Sequence, residues 1–198
     1  MNFTNKKNKK RSMGFTLIEL MIVTSIFAFI SAFMMIRFSL FNNKILTTNL
    51  AYDMALSIRR AQAFGINVRG ADSGGGTIFT SGYGIYFDSS SRTLYRFFAD
   101  SNNNDQYATS ELIETLTLLG GHTIKDVCAV SSGTTYCFNS GDLQNLHIVF
   151  TRPDPDASIK SFSPTRLYEK ATITIDSPQG VERVVEVHLT GQISIVHN

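Results

Sequence analysis

The apolar positions of this chain follow three different periods. From Phe15 to Ile36 they run almost unbroken, with Glu19 as the single charge. A run of about 20 such residues is the length of a helix that crosses a bilayer core. From Asn43 to Phe64 (NKILTTNLAYDMALSIRRAQAF) the spacing opens to that of an amphipathic helix. Leu46, Leu50, Met54, Ile58, Ala61 and Phe64 fall on one stripe, which reads as core. Tyr52, Leu56 and Arg59 lie opposite, on a face that is either solvated or used in a subunit contact. No proline precedes Pro153. A single helix is therefore expected from about Phe15 to Phe64, roughly 75 Å long.

After Gly65 the period shortens to that of strands. Segments 77–87, 92–98, 111–119, 146–150, 171–176, 183–189 and 192–196 are rich in β-branched and aromatic residues, and Gly, Asn, Ser and Asp clusters separate them. LTGQ at 189–192 reads as a tight turn between the last two strands. A helix followed by antiparallel strands predicts an α+β fold with the sheet laid on the helix. The organisation expected is a basic leader at 1–14, a transmembrane or assembly helix at 15–40, its amphipathic continuation at 41–66 and a β-rich domain at 67–198.

Charge sharpens the reading of the first helix. Lys6, Lys7, Lys9, Lys10 and Arg11 give the first 14 residues +5 of an overall +2, leaving the rest slightly acidic. An acidic body speaks against broad nucleic-acid binding, which needs many phosphate-neutralising cations. The cations ahead of the apolar run favour an N-terminus that stays inside. A secretory signal peptide has a shorter apolar stretch with small residues after it; here Ala28, Ser31 and Ala32 lie within the run. A plain anchor explains length and flank but not Glu19, because a carboxylate in a membrane helix is costly. If the chain is cut between Gly14 and Phe15, a new α-amine appears four residues before Glu19 and supplies a cation for it. Pairing within one helix fits the same i, i+4 spacing.

The basic leader and the segment Gly14, Phe15, Thr16, Leu17, Ile18, Glu19, Leu20 resemble the class III signal of type IV prepilins and secretion pseudopilins. The resemblance implies cleavage after Gly14 by a membrane prepilin peptidase and N-methylation of Phe15. It implies a pilin-like fold and attraction between Glu19 of one subunit and the Phe15 amine of a neighbour as helices stack into a filament. The partners it implies are other pilin or pseudopilin subunits, assembly platform proteins and the membrane. Major pilins often carry a helix-breaking proline, with a glycine before it, where this chain has Ile36 and Ala28. That departure leans towards a minor component. Over the body, the helix end RRAQAFGINVR and the closing TGQISIV are similar in pattern to minor pseudopilins of type II secretion.

Other chemistry is sparse. DSNNNDQYATSE (100–111) places Asp100, Asn102, Asn104, Gln106 and Glu111 at the oxygen-donor positions of an EF-hand-type loop, so Ca²⁺ is an expected ligand here. Asp105 stands where such a loop has glycine, and a plain polar hairpin would have a similar composition. Related pseudopilins hold calcium in loops of their globular domains, which is an analogy only. Cys128 and Cys137 flank a turn-like segment in the part expected outside the cytoplasm. A disulfide between them would stabilise by roughly 2.5–3 kcal/mol in the chain-entropy model; free thiols are the alternative. FTRPDPDASI (150–159) reads as a rigid exposed loop, with Arg152, Asp154 and Asp156 either solvated or in a subunit contact. His122, His147, His188 and His197 show no ligand spacing, and no catalytic grouping emerges, so no enzymatic activity is expected.

These features point to a pilin or pseudopilin precursor, most simply a minor one. It would sit in the cytoplasmic (inner) membrane with its body periplasmic or, in a filament, extracellular. Two alternatives stand. One is a DNA-uptake pilin, although its arginines and lysines are scattered and DNA is not an expected partner. The other is an unprocessed, membrane-anchored extracytoplasmic binding domain.

Overall fold

The computed structural model describes residues 14–67, 71–72, 77–78 and 82–196. One α-helix, α1, runs Leu17–Ile66. Two compact units share its sequence, divided after Phe41. In the first unit the segment Leu17–Met35 is long and apolar enough to cross a membrane, with a mean hydropathy of 2.2 and none of it buried.

The second unit begins at Asn42 and contains the rest of α1 and the strands. These are β1 Ala71–Asp72, β2 Thr77–Ile78, β3 Gly82–Asp88, β4 Leu94–Asp100, β5 Leu112–Thr117, β6 Thr123–Ser131, β7 Thr134–Cys137, β8 Asn145–Phe150, β9 Ala157–Phe162, β10 Thr165–Tyr168, β11 Lys170–Asp176, β12 Glu182–His188 and β13 Ile193–Val196. β1 and β2 pair with each other. The remainder form a six-stranded sheet in the order β10-β9-β8-β3-β4-β5 and a five-stranded sheet in the order β13-β12-β11-β6-β7. Every pairing is antiparallel. The fold is α+β, as the periodicity predicts, but the strands divide between two main sheets rather than one. Gly120 and Gly121, at φ +68° and +76°, form the turn that carries the chain from β5 in one sheet to β6 in the other.

The stripe on α1 is core from Leu50 to Phe64, while Leu46 is half-buried outside that cluster. Met54, Ile58 and Ala61 are fully buried, and Leu50 and Phe64 pack against the same cluster. Each large apolar side chain buried in this way contributes about 1.5–3 kcal/mol. The large sheet meets the core with alternate residues, Tyr83, Ile85 and Phe87 on β3 and Phe97 on β4; the small sheet does so with Val127, Ile173, Val185 and Ile193. Gly65 closes the last helical turn against β8, where a Cβ would lie 2.1 Å from the Phe150 carbonyl oxygen.

Four strands of the two main sheets escape the periodicity. β6 (TIKDVCAVS) interrupts its alternation with Lys125 and Asp126, and β7 is only four residues long. The segment between the cysteines is thus a paired hairpin rather than a loose turn, closed by Ser132 and Gly133 at φ +50° and +78°. β9 (ASIKSF) and β10 (TRLY) carry too few β-branched residues to stand out. The expected 77–87 strand is β2 and β3, with 79–81 outside the described residues.

Candidate functional site at the helix N-terminus

Gly14, Phe15 and Thr16 precede the first residue of α1, and Phe15 is 78% exposed. Thr16 is followed three residues later by Glu19, and the two side chains close on each other. Thr16 Oγ1 accepts the Glu19 N–H at 3.3 Å; Glu19 Oε2 accepts the Thr16 N–H at 3.3 Å and the Thr16 hydroxyl at 3.1 Å. This is a capping box, which satisfies two N–H groups that the first helical turn leaves without partners. It also sets a carboxylate at the positive end of the helix dipole. Glu19 therefore has a role within its own chain. The sequence signal for it, T-x-x-E ahead of an apolar run, is overshadowed by the more conspicuous need of a membrane carboxylate for a cation.

The arrangement defines the chemistry open to this end of the chain. The Gly14–Phe15 bond lies ahead of the helix, in backbone that helical hydrogen bonds do not lock. Hydrolysis there would leave an ammonium on Phe15, one residue before the cap and against the positive end of the dipole. Such a group needs negative charge nearby. Glu19 spends Oε2 on the cap; Oε1 accepts no hydrogen bond among the described residues.

The loop at 100–111 does bring its predicted donors together, around its own backbone. Asp100 accepts the N–H groups of Asn104 (3.0 Å) and Asp105 (2.8 Å); Asn102 Oδ1 accepts that of Asn104, and Asn104 Oδ1 that of Gln106. Glu111 accepts from Ser101 and Ala108. Asp105 takes the left-handed conformation (φ +59°) that a calcium loop gives to glycine, yet its carboxylate pairs with Lys160 and Ser158. Asp100, Asn102, Asn104 and Glu111 thus accept amide hydrogens of the loop itself, while Asp105, at the position a calcium loop gives to glycine, faces the Lys160 ammonium. Among the described residues, one cluster of three metal-capable side chains gathers, Asp126, Cys128 and Cys137, and its cysteines are joined as a disulfide. Cys128 and Cys137 face each other directly across β6 and β7.

The loop also covers the outer face of the large sheet. Tyr107 stacks on Tyr86, and its N–H donates to Nδ1 of the buried His147 at 3.0 Å. Desolvation pushes His147 down to about 4 despite the nearby Asp105 carboxylate. His122 is buried as well, tying Thr47 on α1 to the β5–β6 turn. His188 sits on β12 beside Glu186, and His197 lies outside the described residues. Arg152, Asp154 and Asp156 form no ion pair among the described residues.

Residues 9–35 match the family model of the prokaryotic N-terminal methylation motif. The chain thus carries the class III signal peptide of type IV pilins, joined to an apolar helix. The motif marks precursors of the type IV pilin and pseudopilin class, which a prepilin peptidase processes and which assemble with other pilins. No curated protein and no solved structure matches the chain.

Proposed function

We propose that this protein is a minor pilin or pseudopilin that enters a type IV pilus-like or type II secretion filament through its apolar helix. The observation that carries the reading is the methylation motif placed across a capped helix start, with a bare Gly14–Phe15 bond ahead of it. The basic leader stays in the cytoplasm, the span from Leu17 crosses the inner membrane once, and the globular unit lies outside it. Cleavage releases the leader, and methylation of Phe15 leaves a cationic amine. During assembly the apolar helices pack together and bury most of the contact area. The Phe15 amine of one subunit meets the free Oε1 of Glu19 on its neighbour and sets the axial register. The unbroken helix through Ile36, and Ala28 in place of a glycine, support the minor role.

Glu19→Gln separates the charge from the cap, since glutamine also closes a capping box. The variant is expected to be cleaved normally and to be lost at least tenfold from the sheared filament fraction, as is Glu19→Ala. Wild-type incorporation of Glu19→Gln would overturn the pairing.

A further inference from the structure

Within the globular unit, the exposed face of α1 forms a ridge with Leu56 at its crest, 60% exposed, and Tyr52 beside it. A groove runs along each flank. On one side about 330 Å³ opens between α1 and β5, lined by Asp53, Leu50, Leu116 and Leu119. On the other about 260 Å³ opens between α1 and β13, lined by Arg59, Ala55, Ile193 and Ile195. Each groove has apolar walls and one charge, and the two charges are opposite. Among the described residues no hydrogen bond or ion pair reaches the Asp53 carboxylate, and no carboxylate pairs with Arg59, which donates to the Ile193 carbonyl at 3.2 Å. Leu119, 67% exposed, stands on the acidic flank as an apolar knob without a socket.

We propose that two successive copies of this chain dock flank to flank through these grooves, Asp53 of one copy pairing with Arg59 of the next. The inference rests on the filament reading and names a contact within it. Six residues along a helix correspond to about 9 Å of rise and about 120° of rotation. Asp53 and Arg59 therefore face different neighbours. Copies anchored in one membrane lie parallel, which removes the two-fold arrangement and leaves a head-to-tail, heterologous contact of the kind that builds helical filaments. In this contact the first copy contributes Asp53 and the second contributes Arg59. Leu119 of the first copy then meets the apolar wall of the second copy's basic groove. The contact needs only two adjacent copies, so it suits a subunit that enters in short runs.

The test uses the full-length chain in membranes of cells that carry its assembly machinery. Arg59→Lys keeps the charge and supplies an amine for carbodiimide coupling. Treatment of that variant should produce a dimer joined by an amide between Asp53 and the introduced amine, located by mass spectrometry and absent with added Asp53→Asn. In parallel, Asp53→Lys or Arg59→Glu alone should lower the assembled fraction about tenfold, and the double exchange should restore it to within about twofold. Absence of that amide in chains that are processed at Phe15 would overturn the contact, as would single reversals that assemble normally. Linkage of Asp53 to a different subunit would overturn the second copy as occupant. Linkage between chains that all retain Met1 would keep the contact and overturn the filament reading instead.

Discussion

At the scale of single residues, Glu19 carries two demands on one carboxylate. Its cap to Thr16 is local, and in the proposed filament its charge also serves a neighbour. Thr16→Ala should remove the first and leave the second. Amide exchange in the first turn of α1, measured in detergent micelles, should then accelerate about fivefold, the equivalent of roughly 1 kcal/mol for a lost cap. Unchanged exchange would mean that the box does not hold the helix end. His147 makes a different kind of demand, because it must stay neutral to accept the Tyr107 N–H. Its folded value is about 4 against an ordinary 6.5. The unfolded chain therefore binds this proton first as pH falls. The stabilisation is fully present above pH 6.5 and is lost on descending to about pH 4, by at most about 3 kcal/mol. Thermal unfolding of the full chain between pH 7 and 4 should show this slope, and His147→Gln should flatten it.

Among the elements, the end of α1 lies close against β8 at Gly65. A Cβ at Gly65 would meet the Phe150 carbonyl first, and backbone yields less readily than a side-chain tip. Gly65→Ala should cost about 1–3 kcal/mol, the usual range for overpacking, and lower the unfolding temperature accordingly. A neutral result would mean that the last helical turn is not seated on the sheet. The β6–β7 hairpin offers a second measurement. Reducing Cys128–Cys137, which closes a loop of sequence separation 9, should cost roughly 2.5–3 kcal/mol. For the 100–111 loop, chelators and millimolar Ca²⁺ should leave the unfolding temperature unchanged, because its acids are already satisfied by amides. A rise with Ca²⁺ would show that the loop rearranges around a cation. The same elements show what could be read in advance. The helix and seven strand segments announce themselves by period and by their β-branched and aromatic residues. β9 and β10 are less conspicuous, because their buried positions are Ala157, Ile159, Ser161 and Tyr168, with Ile159 the single β-branched residue among these four. The liganding pattern at 100–111 was legible as a set of oxygens. The hydrogens those oxygens face are amides of the same loop, and among its carboxylates only Asp105 reaches outside it, to Ser158 and Lys160 on β9, a contact that no local spacing encodes.

For the whole molecule, the division of labour follows from composition. The apolar segment Leu17–Met35 is exposed along its length and finds no cover among the described residues. It needs a bilayer or the helices of other subunits. The globular unit buries its own core and presents edges and grooves. The apolar helix and its processing signal were legible in the N-terminal residues. The two grooves beside α1 were not, because Asp53 and Leu119 come together only through the fold. The reading as a processed filament subunit stands or falls on the chemistry at Phe15. The most direct measurement is therefore the intact mass and N-terminal peptide of the chain recovered from membranes containing its processing machinery. A mature chain beginning at N-methylated Phe15 is the expected result. A chain that still begins at Met1, or one cut elsewhere, would contradict it.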